Sequence, residues 1–354
     1  MGQRILITNS PADALQELLA AHNACNVFIL ADTNTARIAV PRLMAGCPAL
    51  SGAETIVVSP GDENKNLTAL SSVWEALTAG GATRHSVLVN VGGGMVTDLG
   101  GFAAATFKRG IGFINVPTTL LGAVDAAVGG KTGINFAGLK NEVGVFRQAD
   151  AVVLSSVFFD TLPESEFMSG YAEVIKHALI DSSESLSRVL DRDSSGRAGG
   201  AMLNLLAESV EVKRRIVAED PCETGLRKAL NLGHTAGHAF EAMAMERNAP
   251  VPHGYAVAWG LVVDMVLSHI RLGFPSAVLR QVAGYVCRHY PAPALRCADY
   301  PHLLELMRHD KKNRDARHIN FTLLKAPGEV LTDIDVPEED ICAALDIFRD
   351  LMHI

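Results

Sequence analysis

Three groups of residues in this chain have the types and spacing that chemistry requires. His234 and His238 stand four residues apart in N-L-G-H-T-A-G-H-A-F-E, which puts both imidazoles on one face of a helix. Glu173, in Y-A-E-V-I-K, and His253, in P-H-G-Y-A-V, are further candidates, and two histidines with one carboxylate and an open position would suit a catalytic zinc ion. Paired helical histidines alone are weak evidence, and a bare helix-cap role is the plain alternative for His253. The second group is V-G-G-G-M-V-T-D-L-G-G-F, Val91 to Phe102, which follows a strand and opens a helix. Consecutive glycines let the backbone come close to a ligand, and the exposed N–H groups of a new helix attract phosphate oxygens. The third glycine does not fit G-x-G-x-x-G, so this is a phosphate cradle of another kind. The plainer reading is a tight turn with Asp98 as a dipole-compatible acid.

The third group, Asn115–Asn141, has no simple hydrophobic period and gathers Asp125, Lys131, Lys140 and Asn141 with paired threonines and five glycines. It is expected to be a long functional loop, too apolar for disorder, whose lysine cluster captures phosphate or carboxylate. Lys213, Arg227, Lys311 and Lys312 add cations in helical or loop contexts, each of which alone reads as surface.

These groups need a frame. The first half alternates β-rich runs at Asn26–Ala31, Thr55–Val58, Ser86–Val91, Gly112–Val116 and Ala151–Leu154 with helical stretches near Pro11–Ala21, Asn66–Ala79 and Val96–Phe107. The runs VFIL, VLVNV and AVVL are apolar throughout, as strands covered on both faces are, which predicts a parallel sheet with crossover helices. After about residue 160 a helical period dominates, through Leu179 and then over Ala201–Ala218, Leu230–Glu246, Tyr255–Leu272, Ser276–His289 and Glu338–Met352, with one strand-like run at His318–Leu324. Asp191–Gly200 reads as a surface connection inside that helical half. Two domains are expected: an α/β nucleotide-binding domain over 1–160, Rossmann-like with a parallel sheet, and a mainly helical metal- and substrate-binding domain over 161–354.

Composition narrows the function classes. Of 354 residues 48% are hydrophobic, and 31 Lys plus Arg stand against 39 Asp plus Glu for a net charge of −8. Such a field repels nucleic acid and anionic membranes, so a small molecule is the expected partner. The six cysteines show no zinc-ribbon spacing and read as free buried thiols of a reducing compartment. The start lacks a secretory pattern, and the most apolar stretch, Tyr255–Leu267, is too short to span a bilayer and carries Asp264. A cytoplasmic protein is expected.

In this order the segments resemble the 3-dehydroquinate synthase family of sugar phosphate cyclases, from about Asp32 to Leu324. The resemblance rests on G-G-G-M-V-T-D-L-G-G-F-A-A-A-T, V-P-T-T-L-L, V-G-G-K-T-G-I-N, A-E-V-I-K and L-N-L-G-H-T-x-G-H. It implies the same two-domain fold with the active site in a cleft. It further implies that NAD is held by Asp32, Asn34, Asp62, Lys65, Gly93, Gly94, Asp98, Thr118, Thr119, Lys131, Lys140, Phe158 and Thr161. One divalent metal, zinc before cobalt, would sit on Glu173, His234 and His253. The substrate, 3-deoxy-D-arabino-heptulosonate 7-phosphate, would meet Asp125, Lys131, Lys140, Asn141, Lys176, Lys213, Arg227, Asn231, His238 and one of Lys311 and Lys312. Arg109, in F-K-R-G, would reach the substrate phosphate of a partner subunit in a homodimer. The implied reaction is a transient oxidation by NAD, phosphate elimination, reduction, ring opening and aldol closure. The sequence departs from the family pattern at Asp62, where Glu is usual, and at Ser165, His177–Ala178 and Tyr255. Other sugar phosphate cyclases, a metal-dependent polyol dehydrogenase and a non-catalytic scaffold are the alternatives. Lys213, Arg227 and His238 favour a substrate that carries a carboxylate.

Overall fold

Short apolar runs that must be covered on both faces build the first sheet. The computed structural model describes residues 3–22, 26–192, 196–308 and 318–354. The chain divides into two compact units, Met1–Pro163 with Ser194–Arg214, and Glu164–Asp193 with Arg215–Ile354.

In the first unit, strands β1 (Arg4–Ile7), β2 (Val27–Asp32), β3 (Glu54–Val58), β4 (Val87–Gly92), β5 (Gly112–Pro117) and β8 (Ala151–Leu154) form one sheet in the order β1-β8-β5-β4-β2-β3. Every pairing is parallel. Helices α1 (Pro11–His22), α2 (Thr33–Gly46), α3 (Leu67–Ala79) and α4 (Gly94–Thr106) supply crossovers. β4 is buried along its whole length, as its unbroken apolar run requires. The chain leaves β2 for β3 on one side and returns to β4 on the other, so the strand order reverses between β2 and β4. Ligands of open α/β sheets bind outside the carboxyl ends of the strands at such a reversal.

The sequence reading missed several elements here. Asn115–Asn141 is not one long loop: after β5 comes a π-helical turn, Gly122–Ala126, then an antiparallel hairpin of β6 (Lys131–Phe136) and β7 (Leu139–Phe146). Glycines at 133 and 144 let the two backbones face each other closely while hiding the strand alternation. α2 also went unread, because Pro41 and a polar mixture blur its period.

In the second unit, α5 (Glu164–Asp181), α6 (Ser183–Leu190), α8 (His234–Glu246), α9 (His253–Leu272), α10 (Ser276–His289), α11 (Tyr300–Arg308) and α12 (Glu338–Met352) accompany a hairpin of β9 (Asn320–Ala326) and β10 (Glu329–Asp335). β10 is a second strand where the sequence showed only one. α9 is the central element, packed by α5, α8, α10, α12 and β9. It is long and apolar enough to cross a bilayer, longer than its sequence suggested, but 72% of its most apolar window is buried in protein, as in a core helix.

Helix α7 (Gly200–Glu219) begins with the first unit. Asp191–Gly200 is therefore a passage between units and not a connection inside the helical half. Spatial neighbours decide unit membership, and local composition does not encode them. The expectation of buried thiols also needs correction: Cys47 is buried, but Cys222 and Cys297 are exposed.

Candidate functional site

Two constellations form, one in each unit. In the second, the expected helix over Leu230–Glu246 is broken. A 3-10 turn, Leu226–Asn231, ends at Leu232, and Gly233 takes a left-handed conformation (φ 79°) before α8 starts at His234. A side chain at 233 would be strained there and would also meet Leu261. The buried Asp264 carboxylate on α9 accepts the Gly233 N–H at 2.6 Å and so fixes this turn. It places His234 in the first turn of α8 and His238 one turn further, their ring centroids 5.3 Å apart. His253 opens α9, and Glu173 lies inside α5, fully buried.

Ligating atoms of Glu173, His234 and His253 all lie within 4.8 Å of one another. Nε2 of His234 and of His253 stand 3.7 and 3.9 Å from Glu173 Oε1. Each Nδ1 faces away: His234 donates to the Leu232 carbonyl at 3.0 Å, and His253 to Glu241 Oε2 at 3.2 Å. Those bonds hold the protons on Nδ1 and leave both Nε2 lone pairs turned toward the carboxylate. Glu173 Oε2 pairs with the buried Lys176 ammonium, while Oε1, which faces the two imidazoles, has no hydrogen-bond partner among the described residues. A buried carboxylate oxygen left this way is costly unless a further cation meets it. Two imidazole nitrogens and a carboxylate, each oriented by an outer partner, fit a divalent metal with an open position.

Glu241 and Asp264 were missed as site residues. Glu241 follows His234 by seven residues, on the same helix face, so the period alone could have found it. Asp264 stood out in the sequence only as a charge inside an apolar stretch. Nearby, Asp220 closes the turn that carries Arg227, accepting the N–H groups of Thr224, Gly225 and Arg227 at 3.0, 2.6 and 3.1 Å. Those donors hold its carboxyl at about 2, below the usual carboxylate range. Arg227 is buried and donates to the Pro221 carbonyl, while Asn231 donates to Glu223.

In the first unit, the candidate cradle sits at the strand-order reversal. Asp32, Gly92 and Pro117 end adjacent strands β2, β4 and β5. Gly93 caps α4 with no side-chain hydrogen bond, which leaves the first N–H groups of that helix available to an anion. A Cβ on Gly93 would come within 3.1 Å of the Thr119 side chain, so a larger residue would crowd the cradle. Asp32 Oδ1 accepts from Asn34 and Thr35 and caps α2. Thr118 N–H bonds the Gly92 carbonyl, Thr119 Oγ1 accepts from Gly122, and Thr161 donates to the carbonyl of the buried Phe158.

Behind the cradle, the Lys65 ammonium is buried and reaches Asp98 Oδ2 at 3.0 Å, Asp62 Oδ1 at 3.1 Å and Asn141 Oδ1 at 2.7 Å. Burial pulls this ammonium down, but Asp98 and Asp62 outweigh it and hold Lys65 above the usual lysine range. Burial raises the Asp98 carboxyl, and Lys65 offsets only part of that. Burial also raises Asp62, where Lys65 and Lys140 overturn it and leave the carboxyl low. Asn135, another residue the sequence reading did not single out, ties the hairpin to this turn by donating to the Asp62 carbonyl at 2.8 Å. Lys213 of α7 donates to the Asp125 carbonyl at 2.6 Å and pairs with its carboxylate. Lys131 and Lys140 are exposed on the hairpin, and Arg109 is exposed after α4. Lys311 and Lys312 lie outside the described residues.

Comparison with known proteins supplies the context. The 3-dehydroquinate synthase N-terminal family matches residues 55–169, and the 3-dehydroquinate synthase C-terminal family matches residues 170–313. A 3-dehydroquinate synthase of Parabacteroides distasonis is 49% identical over 348 residues, covering 98% of each chain. Among solved structures, a 2-deoxy-scyllo-inosose synthase complexed with carbaglucose-6-phosphate, NAD+ and Co2+ superposes with a TM-score of 0.82 at 21% identity, covering 98% of this chain and 96% of that one. The 2-epi-5-epi-valiolone synthase of Streptomyces hygroscopicus subsp. jinggangensis, with NAD+ and Zn2+ bound, gives 0.82 at 24% identity and covers 99% and 97%. These two structures share the fold.

Proposed function

This chain belongs to the 3-dehydroquinate synthase family, and from that premise we propose how its own residues carry the reaction. The activity is conversion of 3-deoxy-D-arabino-heptulosonate 7-phosphate to 3-dehydroquinate and phosphate. Nucleotide binding belongs to residues 1–160 and metal binding to 161–354, apart from Ser194–Arg214, which packs with the first unit. Glu173, His234 and His253 hold the divalent metal, and Asp32, Asn34, Asp62, Lys65, Gly93, Gly94, Asp98, Thr118, Thr119, Phe158 and Thr161 serve NAD. NAD held there would supply a reversible hydride acceptor, and the metal ion would supply the charge that acidifies hydroxyl groups beside it.

The protein's share is binding and positioning. Oxidation of the substrate carbinol to a ketone acidifies the neighbouring C–H. The substrate's own phosphate takes that proton, and its C–O bond breaks as the C–H electrons form a double bond. Lys131, Asn141 and His238 hold the phosphate in reach of the proton, aided by Arg109 and by Lys311 or Lys312. Lys213 and Arg227 take the carboxylate end, where the rigid guanidinium fork suits bidentate pairing. Lys140, Lys176, Asn231 and Asp125 complete the polar lining. Ring opening and aldol closure need orientation more than acid–base help.

The observation that carries this reading is the buried Glu173 carboxylate, whose Oε1 has no hydrogen-bond partner among the described residues and is faced by two imidazoles whose Nδ1 protons are anchored. The two buried cations Lys213 and Arg227 favour an acidic sugar over a neutral one. The chain acts as a homodimer in which Arg109 serves the partner's substrate. Exposed apolar side chains on the β6–β7 hairpin, Phe136, Leu139 and Phe146 among them, support a second copy as their cover. A cytoplasmic location agrees with the need for NAD. The test is phosphate release from the heptulosonate phosphate with and without chelator, with the carbocyclic product identified. Net NADH accumulation without phosphate release would instead mark a polyol dehydrogenase.

A further inference from the structure

Helix α9 begins without a cap of its own. Its N-cap position is Pro252, which makes no side-chain hydrogen bond to the helix, and the first helical residue is the candidate ligand His253. A helix start leaves backbone N–H groups that need acceptors, and a buried one without a partner is costly. The Tyr255 N–H turns back to the Pro252 carbonyl at 2.9 Å. The Gly254 N–H instead leaves the helix and meets Ser169 Oγ of α5 at 3.0 Å, with both residues buried.

The two helices meet closely at this point. A Cβ on Gly254 would lie 1.9 Å from the Ser169 carbonyl oxygen, so any side chain there would force the backbones apart. Ser169 precedes Glu173 by four residues and shares its face of α5. Gly254 is the immediate neighbour of His253. One hydrogen bond therefore joins the turn before one candidate ligand to the residue after another. A second clamp accompanies it: the buried Tyr290 hydroxyl donates to the Met168 carbonyl of α5 at 3.0 Å, and its ring meets the Tyr255 ring of α9 edge to face, with centroids 5.3 Å apart. Both contacts fall within one helical turn of His253. That residue's Nδ1 is anchored on Glu241 of α8, and its Nε2 stands 3.9 Å from Glu173 Oε1. Metal–ligand bonds hold to within about 0.2 Å, so the backbone beneath a ligating ring needs comparable support.

We infer that Ser169 is a positioning residue for the metal centre: its hydroxyl caps α9 from α5 and thereby sets where His253 Nε2 stands relative to Glu173. A cap within α9 would hold the helix end without tying it to Glu173. A cap supplied by α5 does both, because the acceptor and the carboxylate ride on one face of the same helix. The inference rests on the reading of Glu173, His234 and His253 as metal ligands.

Full-length metal-free protein is loaded with Co2+, its dissociation constant is measured by chelator competition, and the visible spectrum of the bound ion is recorded. Histidine ring nitrogen resonances of the metal-free protein, with those of His253 assigned by their loss in His253→Gln, follow the imidazole directly. Ser169→Ala removes the acceptor, whereas Val282→Ala on α10 removes buried volume and no hydrogen bond. In Ser169→Ala we expect Co2+ affinity to fall about tenfold, the lower end for loss of an outer partner of a ligand, with an altered Co2+ spectrum and shifted His253 resonances. Val282→Ala should keep the spectrum and the resonances even where urea unfolding shows an equal loss of stability. Should Ser169→Ala not fold, Ser169→Cys, whose sulfur is the weaker acceptor, takes its place. Unchanged His253 resonances with Co2+ affinity within about twofold overturn the inference, and so do equal changes in Val282→Ala. Failure of the unaltered protein to bind Co2+ would sink the ligand reading, and the His253 resonances of the metal-free variants would still decide whether Ser169 positions that ring.

Discussion

Replacing Glu241 by glutamine isolates one term of the metal site, the proton on His253 Nδ1. The carboxylate lies 3.2 Å from that nitrogen and is almost fully buried, so water does not replace it. As an acceptor only, it holds the proton on Nδ1 and keeps the Nε2 lone pair directed toward Glu173 Oε1, 3.9 Å away. Glutamine has the same shape but can present either an acceptor oxygen or a donor NH2. In the second orientation His253 must switch tautomer, and Nε2 then carries a proton where a metal needs a lone pair. Loss of an outer-shell carboxylate of this kind costs about 10- to 100-fold in metal affinity, or ~1.4–2.7 kcal/mol. Glu241→Gln is expected at the lower end, since one orientation keeps the bond, and Glu241→Ala at the upper end. Competition with a chromophoric chelator measures the dissociation constant, and urea unfolding of metal-free protein separates a general loss of stability. If both variants fold normally and bind metal within twofold of the unaltered protein, the tautomer argument is wrong.

Three further outcomes follow from the packing and the charges. A methyl group at Gly260 on α9 would overlap the Gly233 carbonyl oxygen, so Gly260→Ala should destabilise by about 1–3 kcal/mol and weaken metal binding through the displaced His234. Urea midpoints and metal affinity equal to those of the unaltered protein would refute this packing. Lys65→Met strips the Asp98 carboxylate of its cation and should cost ~3–5 kcal/mol in urea unfolding, with adding Asp98→Asn recovering part of the loss. A double variant no more stable than the single one would remove the pair from that role. For Asp220, the folded carboxyl titrates at about 2, below the ~3.9 of an unfolded chain. Its stabilisation is thus fully present above the unfolded value and is lost as pH falls through the folded one. The stability gap between the unaltered protein and Asp220→Asn, followed by urea unfolding, should close on acidification through that window. A gap independent of pH would show that the carboxylate charge does not close the Arg227 turn.

Much of the first unit was legible because its signals are local. VLVNV announces a strand covered on both faces, and the glycines after it announce a close turn into a helix, since each depends only on adjacent residues. The same holds for His234 and His238, whose four-residue spacing is a property of any helix, and Glu241 extends it by a further turn. The β6–β7 hairpin escaped because its glycines dilute the alternation, and the Leu230–Glu246 stretch read as one helix because an apolar period continues through the left-handed Gly233.

The sequence by itself determined which residues lie on one helix face and which runs must be strands, because dihedral preference and hydrophobic period act over a few residues. Tertiary structure alone decided that Lys65 meets Asp98 from 33 positions away, that Asp264 on α9 pins the turn before His234, that Glu241 holds the proton of His253, and that Ser169 on α5 meets Gly254 at the start of α9. Such pairings depend on how elements stack. Distance and burial set the strength of a charge interaction, and sequence separation sets neither.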